Sequence, residues 1–146
     1  MASSSVDGLI NIFDLMGCSE EDALLSTLNV GSSVIRFSWS KENLLCCTTG
    51  NEEFQLWSAN EPSPYLSTTR EELPQSSQYK ADYLIDSFMV EKSLYVASGS
   101  NQGVVCLYSA ETKKLHLYCE LQNGHSDVVR TVCYSEKGKF IATGGE

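Results

Sequence analysis

The chain has 146 residues, 42% hydrophobic and 20% charged, which is enough for one ordinary domain with a core and too apolar for a disordered segment. Its net charge of −9 and ten scattered basic residues argue against nucleic acid as a partner, because neutralising phosphates takes clustered Lys and Arg. No run reaches the roughly 18 apolar residues of a helical membrane span. MASSSVDGL has neither the basic nor the apolar segment of a secretory leader, so no membrane role is expected.

In chain order, Asp7-Gly8 reads as a turn and Gly8 to Leu15 as a strand with Phe13 near its end. Gly17 to Asp22 is a polar loop and Ala23 to Leu28 a short strand. Ser32-Ser33 lead into VIRFSWS, where Val34 with Arg36, and Ile35 with Phe37 and Trp39, alternate at period two. A turn at Lys41-Glu42-Asn43, a strand LLCCTT, a turn at Gly50-Asn51 and a strand over Phe54 to Trp57 follow. The irregular stretch from Ser58 to Tyr79 holds all three prolines, and reads as an outer strand near Tyr65 to Thr68 followed by a loop insertion over 70–81. From Asp82 the order resumes: YLIDSFMV, a Glu91-Lys92-Ser93 turn, LYVAS, an Asn101-Gln102-Gly103 turn and VVCLYS. Lys113 to Leu121 is an outer strand with Leu115, Leu117, Cys119 and Leu121 on one face and His116 on the other. Gly124-His125-Ser126-Asp127 then precedes VVRTVCYS, a Glu136-Lys137-Gly138 turn and FIATGGE.

The hairpin LYVASGSNQGVVCLYS recurs. Laid over Ser98 to Ser109, the segment Ser3 to Asp14 matches Gly8 to Gly103 and Phe13 to Tyr108. Cys47 to Ser58 is a looser copy with Trp57 at the aromatic position, and Thr143-Gly144-Gly145 begins another. Phe13 and Trp57 lie 44 positions apart, and Trp57 and Tyr108 lie 51 apart, the excess falling in the proline-containing insertion. Four strands in a period of about 40 to 45 residues, with Gly-His before the first and an aromatic ending the third, is the pattern of a propeller repeat. The segment GHSDVVRTVCYSEKGKFIATGGE resembles the WD-repeat consensus, and nearly the whole chain is similar to the WD-repeat β-propeller family.

The resemblance implies an all-β fold: a partial WD-repeat β-propeller with two full four-stranded blades flanked by two partial ones. The boundaries would be 3–28 for the end of a blade, 32–69 for a blade, 70–81 for the insertion, 82–121 for a blade and 124–146 for the start of a blade. On that pattern the chain begins at a third strand and is a fragment of a longer propeller, and its uncapped terminal units should make it self-associate. The family's tight-turn Asp matches Asp7, with Asn51 and Gln102 at the other two sites. Only Gly124-His125 keeps Gly-His, whose partner would be Thr143, and Trp57 is the one Trp ending a third strand. The family's structural tetrad is therefore complete in no blade.

Catalytic and metal-binding patterns are weak. His125-Ser126-Asp127 supplies three triad residue types, but consecutive residues do not converge on one atom. Cys119, His125 and Cys133 lack a fourth ligand at zinc spacing. Cys46 and Cys47 should point to opposite faces of a strand as core thiols. The glycine turns lack the Lys-Ser/Thr and helix of a phosphate cradle, and Gly8, Gly50 and Gly103 are expected to supply positive φ instead. Trp39, Phe54 and Trp57 read as packing aromatics. No cofactor, no metal and no enzymatic activity are expected. Six cysteines without a CxxC, and the absence of an Asn-x-Ser/Thr sequon, fit the cytoplasm or nucleus.

A binding surface remains. By the resemblance, the loops before the first strands and the turns between second and third strands share one rim, carrying Ser32, Asp82 and Asp127 with Asp7, Asn51, Asn101 and Gln102. Acidic and amide side chains on a rigid scaffold suit Lys- or Arg-containing peptides. The expected function is a protein-interaction scaffold. The alternative is a substrate receptor of a cullin-type ubiquitin ligase, although Trp57-Ser58-Ala59-Asn60 lacks the Trp-Asp-x-Arg that would mark that role.

Overall fold

A computed structural model describes residues 1–16, 23–41, 43–76, 78–111 and 113–146. The expected polar loop over 17–22 lies outside the described residues. The first sheet contains β1 (Ala2–Ser4), β2 (Leu9–Phe13) and β3 (Leu24–Asn29). The second contains β4 (Val34–Lys41), β5 (Leu44–Thr49), β6 (Glu53–Ser58) and β7 (Leu66–Thr69). A 3₁₀ turn at Arg70–Glu72 leads from it towards β8 (Tyr83–Val90), β9 (Ser93–Gly99), β10 (Val105–Glu111) and β11 (Lys114–Leu121), which form the third sheet. The fourth holds β12 (Val129–Ser135) and β13 (Phe140–Gly145). Every pairing is antiparallel between strands adjacent in sequence.

Three apolar layers join the four sheets. Ile10, Ile12 and Leu28 meet Leu45, Cys47 and Trp57 across the first seam. Cys46, Phe54 and Leu56 meet Val96, Cys106 and Tyr108 across the second. Ile85, Val105 and Leu107 meet Val129 and Val132 across the third. Neighbouring residues of a strand therefore serve opposite seams: Leu45 and Cys47 face the first sheet, and Cys46 faces the third. This explains why LLCCTT and VCLYS read as continuous apolar runs, since a strand sandwiched on both faces has no polar side. Burying a side chain such as Phe54 or Leu45 completely contributes about 1.5–3 kcal/mol.

Four local expectations change. The chain does not start at a third strand, because β1 pairs Ala2, Ser3 and Ser4 with Ile12, Asn11 and Ile10. Trp39 is no packing residue: it is 44% exposed on β4, an edge strand whose register shifts at Val34/Arg36 and at Trp39/Lys41. On β11 the register shifts where Leu107 pairs Cys119 and Tyr108 pairs Leu117. The extra residue breaks the single apolar face. Leu115 and Leu117 consequently serve the second seam, Cys119 serves the third, and Leu121 is 37% exposed. Finally, positive φ occurs at Gly8 (84°) and Gly103 (81°), but in the middle turn it falls on Glu52 (57°) and not on Gly50.

Candidate functional site

The expected rim is built where each turn between second and third strands meets the loop that leads into the next sheet. At the first seam, Asp7 Oδ1 accepts the Leu9 N–H at 3.0 Å and closes the turn. Gly8 follows it, so close to the next sheet's leading loop that a Cβ would stand 2.9 Å from the Ser32 carbonyl oxygen. At the second seam, Glu52 occupies the glycine position, and its Oε2 accepts the Leu84 N–H of the third sheet at 2.5 Å. Arg70 braces the same junction, donating from Nη1 to the Asp82 carbonyl oxygen at 2.6 Å. At the third seam, Gly103 lies against the backbone of His125 and Ser126.

The predicted rim residues are thus spread over three seams. Asp82 Oδ2 accepts the Asn101 N–H at 2.7 Å, joining a leading loop to the turn of its own sheet. Asp127 Oδ1 turns back to the Val128 N–H at 2.7 Å. The Gln102 N–H donates to Ser100 Oγ at 3.3 Å. Asn51, Asn101 and Gln102 are exposed, and Ser32 is half-buried. One carboxylate oxygen each of Asp7, Asp82 and Asp127 is therefore used to fix a turn, and the other is free of these turn bonds. Among the structural candidates, His125 Nε2 lies 2.8 Å from Thr143 Oγ1. Buried Trp57 donates its Nε1–H to Gln55 Oε1 at 2.9 Å, and Gln55 Nε2 donates onward to the Val30 carbonyl oxygen at 3.2 Å.

Three contributors were missed by the sequence reading. Glu52 was legible, since it aligns with Gly8 and Gly103 and so breaks the repeat at a strained position. Tyr83 carried no signal. Its hydroxyl accepts the Val129 N–H at 2.8 Å and reaches the Ser100 carbonyl oxygen at 3.3 Å, tying the third sheet to the fourth. Burial pushes the Tyr83 phenol up. Arg70, within the insertion, was read as loop. Inward of the rim, burial raises the Asp86 carboxyl, partly offset by the Ser87 N–H and by Arg36, and Arg130 pairs with Glu146 at 2.6 Å.

Among the described residues, the triad and zinc candidates of the sequence are not brought together. The Asp127 carboxylate is spent on its neighbouring N–H rather than on His125, and among the described residues no three His, Cys, Asp or Glu side chains come together as metal ligands. The five described cysteines are free thiols. Cys46, buried between Ser38 Oγ and Ser87 Oγ at 3.2 Å each, faces away from Cys47, whose thiol burial pushes up to about 12.

Sequence and structure comparisons agree with this geometry. The family model for the WD domain, G-beta repeat, matches residues 116–146. WD repeat-containing protein GTS1 of Arabidopsis thaliana is 31% identical over 163 residues, an alignment that takes in 100% of this chain and 42% of that protein. Residues 116–146 thus match a WD repeat, and the chain is similar along its whole length to WD repeat-containing proteins. The WD repeat-containing protein 89 homolog of Dictyostelium discoideum is 24% identical over 153 residues, covering 100% of this chain and 43% of its own length. The chain thus spans well under half of the curated relatives it matches. Among solved structures, a chain of the mitotic checkpoint complex aligns with TM-score 0.65 and 18% identity over 98% of this chain and 41% of its own. The C-terminal WD40 domain of Sif2 gives 0.67 and 14% over 98% and 39%. The four sheets are accordingly blades of a partial propeller, the second and third four-stranded. In the fourth sheet the His125–Thr143 contact joins the leading loop to β13. In the third blade, Ser98 Oγ on β9 donates to Tyr108 Oη on β10 at 3.3 Å.

Proposed function

We propose that the chain is a non-catalytic protein-interaction scaffold, and that its rim of leading loops and turns docks Lys- or Arg-containing segments of partner proteins. The observation that carries this is the way the rim is held. Each turn is fastened to the next blade, by Glu52 to Leu84 of β8 and by the close approaches of Gly8 to Ser32 and Gly103 to His125 in the leading loops. Asp82, Asp127, Asn101 and Gln102 are thereby displayed on backbone that does not have to be ordered on binding, which lowers the entropic cost of docking. The free carboxylate oxygens of Asp82 and Asp127 are the acceptors for a guanidinium or ammonium group.

The test is charge reversal on the rim. The protein carrying Asp82→Lys and Asp127→Lys, with its fold verified by circular dichroism, should lose partners that the unchanged protein recovers in affinity purification. Recovery of the same partners at undiminished yield would sink the rim as the docking surface. A ubiquitin-ligase role has no supporting residue pattern, since no third strand ends in Trp-Asp-x-Arg.

A further inference from the structure

Between the two four-stranded blades, on the side away from the acidic rim, the second apolar seam does not close. Leu44, Leu56, Leu66 and Leu94 floor a cavity of about 210 Å³ that opens to solvent. At its mouth stand Tyr65, half-exposed, and Lys113, whose Nζ sits 4.5 Å from the centre of the Tyr65 ring. The Lys113 backbone is in the left-handed region at φ 64°, which fixes how its side chain leaves the turn after β10. A cavity this size falls below the roughly 300–1,000 Å³ of a small-molecule site and suits the anchor side chain of a docked peptide.

The turns on this side carry both signs, Lys92, Lys113, Lys114, Lys137 and Lys139 together with Glu91, Glu111 and Glu136. Lys139 is already paired with Glu91 at 3.1 Å. Lys113 and Lys114 flank the groove and its continuation along β7, where Ser67, Thr68 and one carboxylate, Glu72, line the wall, so the lysines outnumber the acid there. A cation held over an aromatic ring at the lip of a leucine-floored cavity is complementary to an apolar side chain with a carboxylate beside it.

We infer that this groove docks an extended acidic segment of a partner protein, with one leucine- or phenylalanine-sized residue in the cavity and a following Asp or Glu against Lys113. The inference rests on the scaffold reading and adds to it a second surface of opposite preference: basic segments on the rim, acidic segments in the groove. A peptide crossing here touches both blades, and so clamps the seam shut as it binds.

The experiment uses fluorescein-labelled peptides Gly-Ser-Leu-Asp-Asp-Ser, Gly-Ser-Ser-Asp-Asp-Ser and Gly-Ser-Leu-Lys-Lys-Ser, titrated with the full chain and followed by anisotropy. The first peptide should bind at least about tenfold more tightly than the other two, a difference of about 1.4 kcal/mol. Lys113→Glu should abolish the preference for Asp over Lys. Ala110→Phe, which fills the groove from its wall while leaving every charge in place, should abolish binding altogether. Asp82→Lys with Asp127→Lys should leave groove binding unchanged, so failure of the rim and failure of the groove are distinguishable. Equal binding of the three peptides, binding that survives Ala110→Phe, or no binding by a chain shown to be folded would each overturn the inference. So would a groove found occupied by a second copy of the chain.

Discussion

Gly50 and Gly103 are both turn glycines expected to supply positive φ, and the structure separates them. Gly103 has φ 81°, a region that costs an L-residue roughly 1–2 kcal/mol. A methyl group there would also collide with the His125 carbonyl oxygen, which is backbone and cannot rotate aside. Forced displacement of well-packed backbone adds about 1–3 kcal/mol. Gly103→Ala should therefore destabilise by about 2–5 kcal/mol, and at about 2–4 °C per kcal/mol for a chain of this size the melting temperature falls by roughly 4–20 °C. Gly50 lies outside the left-handed region, and a methyl there meets only the rotatable Ser33 Oγ. Gly50→Ala should change stability by less than about 1 kcal/mol. Urea denaturation followed by tryptophan emission, with Trp57 as the buried reporter, measures both. Equal losses in the two variants would refute the assignment of strain, as would a neutral Gly103→Ala.

Alkaline pH should weaken the fold. The Cys47 thiol moves from 9.0 to about 12 and the Tyr108 phenol from 10.0 to about 12, both chiefly through burial, so the native state holds its protons longer than the unfolded chain does. The stability is fully present below pH 9 and is lost as pH rises towards 12. At pH 10 Cys47 alone accounts for about 1.4 kcal/mol, and urea midpoints at pH 8 and pH 10 should converge in Cys47→Ala; an unchanged difference would count against the buried thiol. Site-resolved alkylation should modify exposed Cys133 at least ~10³ times faster than Cys46 or Cys47, since open populations of ~10⁻³ or less limit access to the core. Comparable rates at the three sites would show that the second blade is not packed as described. A double-mutant cycle of His125→Ala and Thr143→Val should give a coupling of about 0.5–1.5 kcal/mol, whereas strict additivity would mean that the 2.8 Å contact contributes nothing.

Repetition made the architecture legible. Hairpins recurring around Gly8 and Gly103, with aromatics at matched offsets, located the blades, because a motif copied at a fixed period must stack on its neighbours to bury its faces. What stayed hidden was set by tertiary pairing. Ala2-Ser3-Ser4 has no strand signature, and β1 exists because Ile10 to Ile12 present an open edge to it. The run Leu115, Leu117, Cys119, Leu121 alternates perfectly in sequence, yet one extra residue opposite Leu107 and Tyr108 sends its two halves to different seams.

The rim shows the same division more sharply. The sequence placed Ser32, Asp82 and Asp127 at matched positions, with Asp7 in a turn, as groups for a partner, whereas each of the three carboxylates spends one oxygen on a backbone N–H. Glu52 explains why a repeat can afford to break its own rule. A non-glycine residue at φ 57° is strained, but only a side chain there can reach the Leu84 N–H, and a charge-assisted bond contributes about 1.5–3 kcal/mol against a strain of about 1–2. The two nearly cancel, so Glu52→Gly should alter stability by no more than about 1 kcal/mol. Its effect should appear instead as faster hydrogen exchange at the Leu84 amide, at the junction where the rim passes from one blade to the next. Unchanged protection of that amide would mean the carboxylate does not hold the seam.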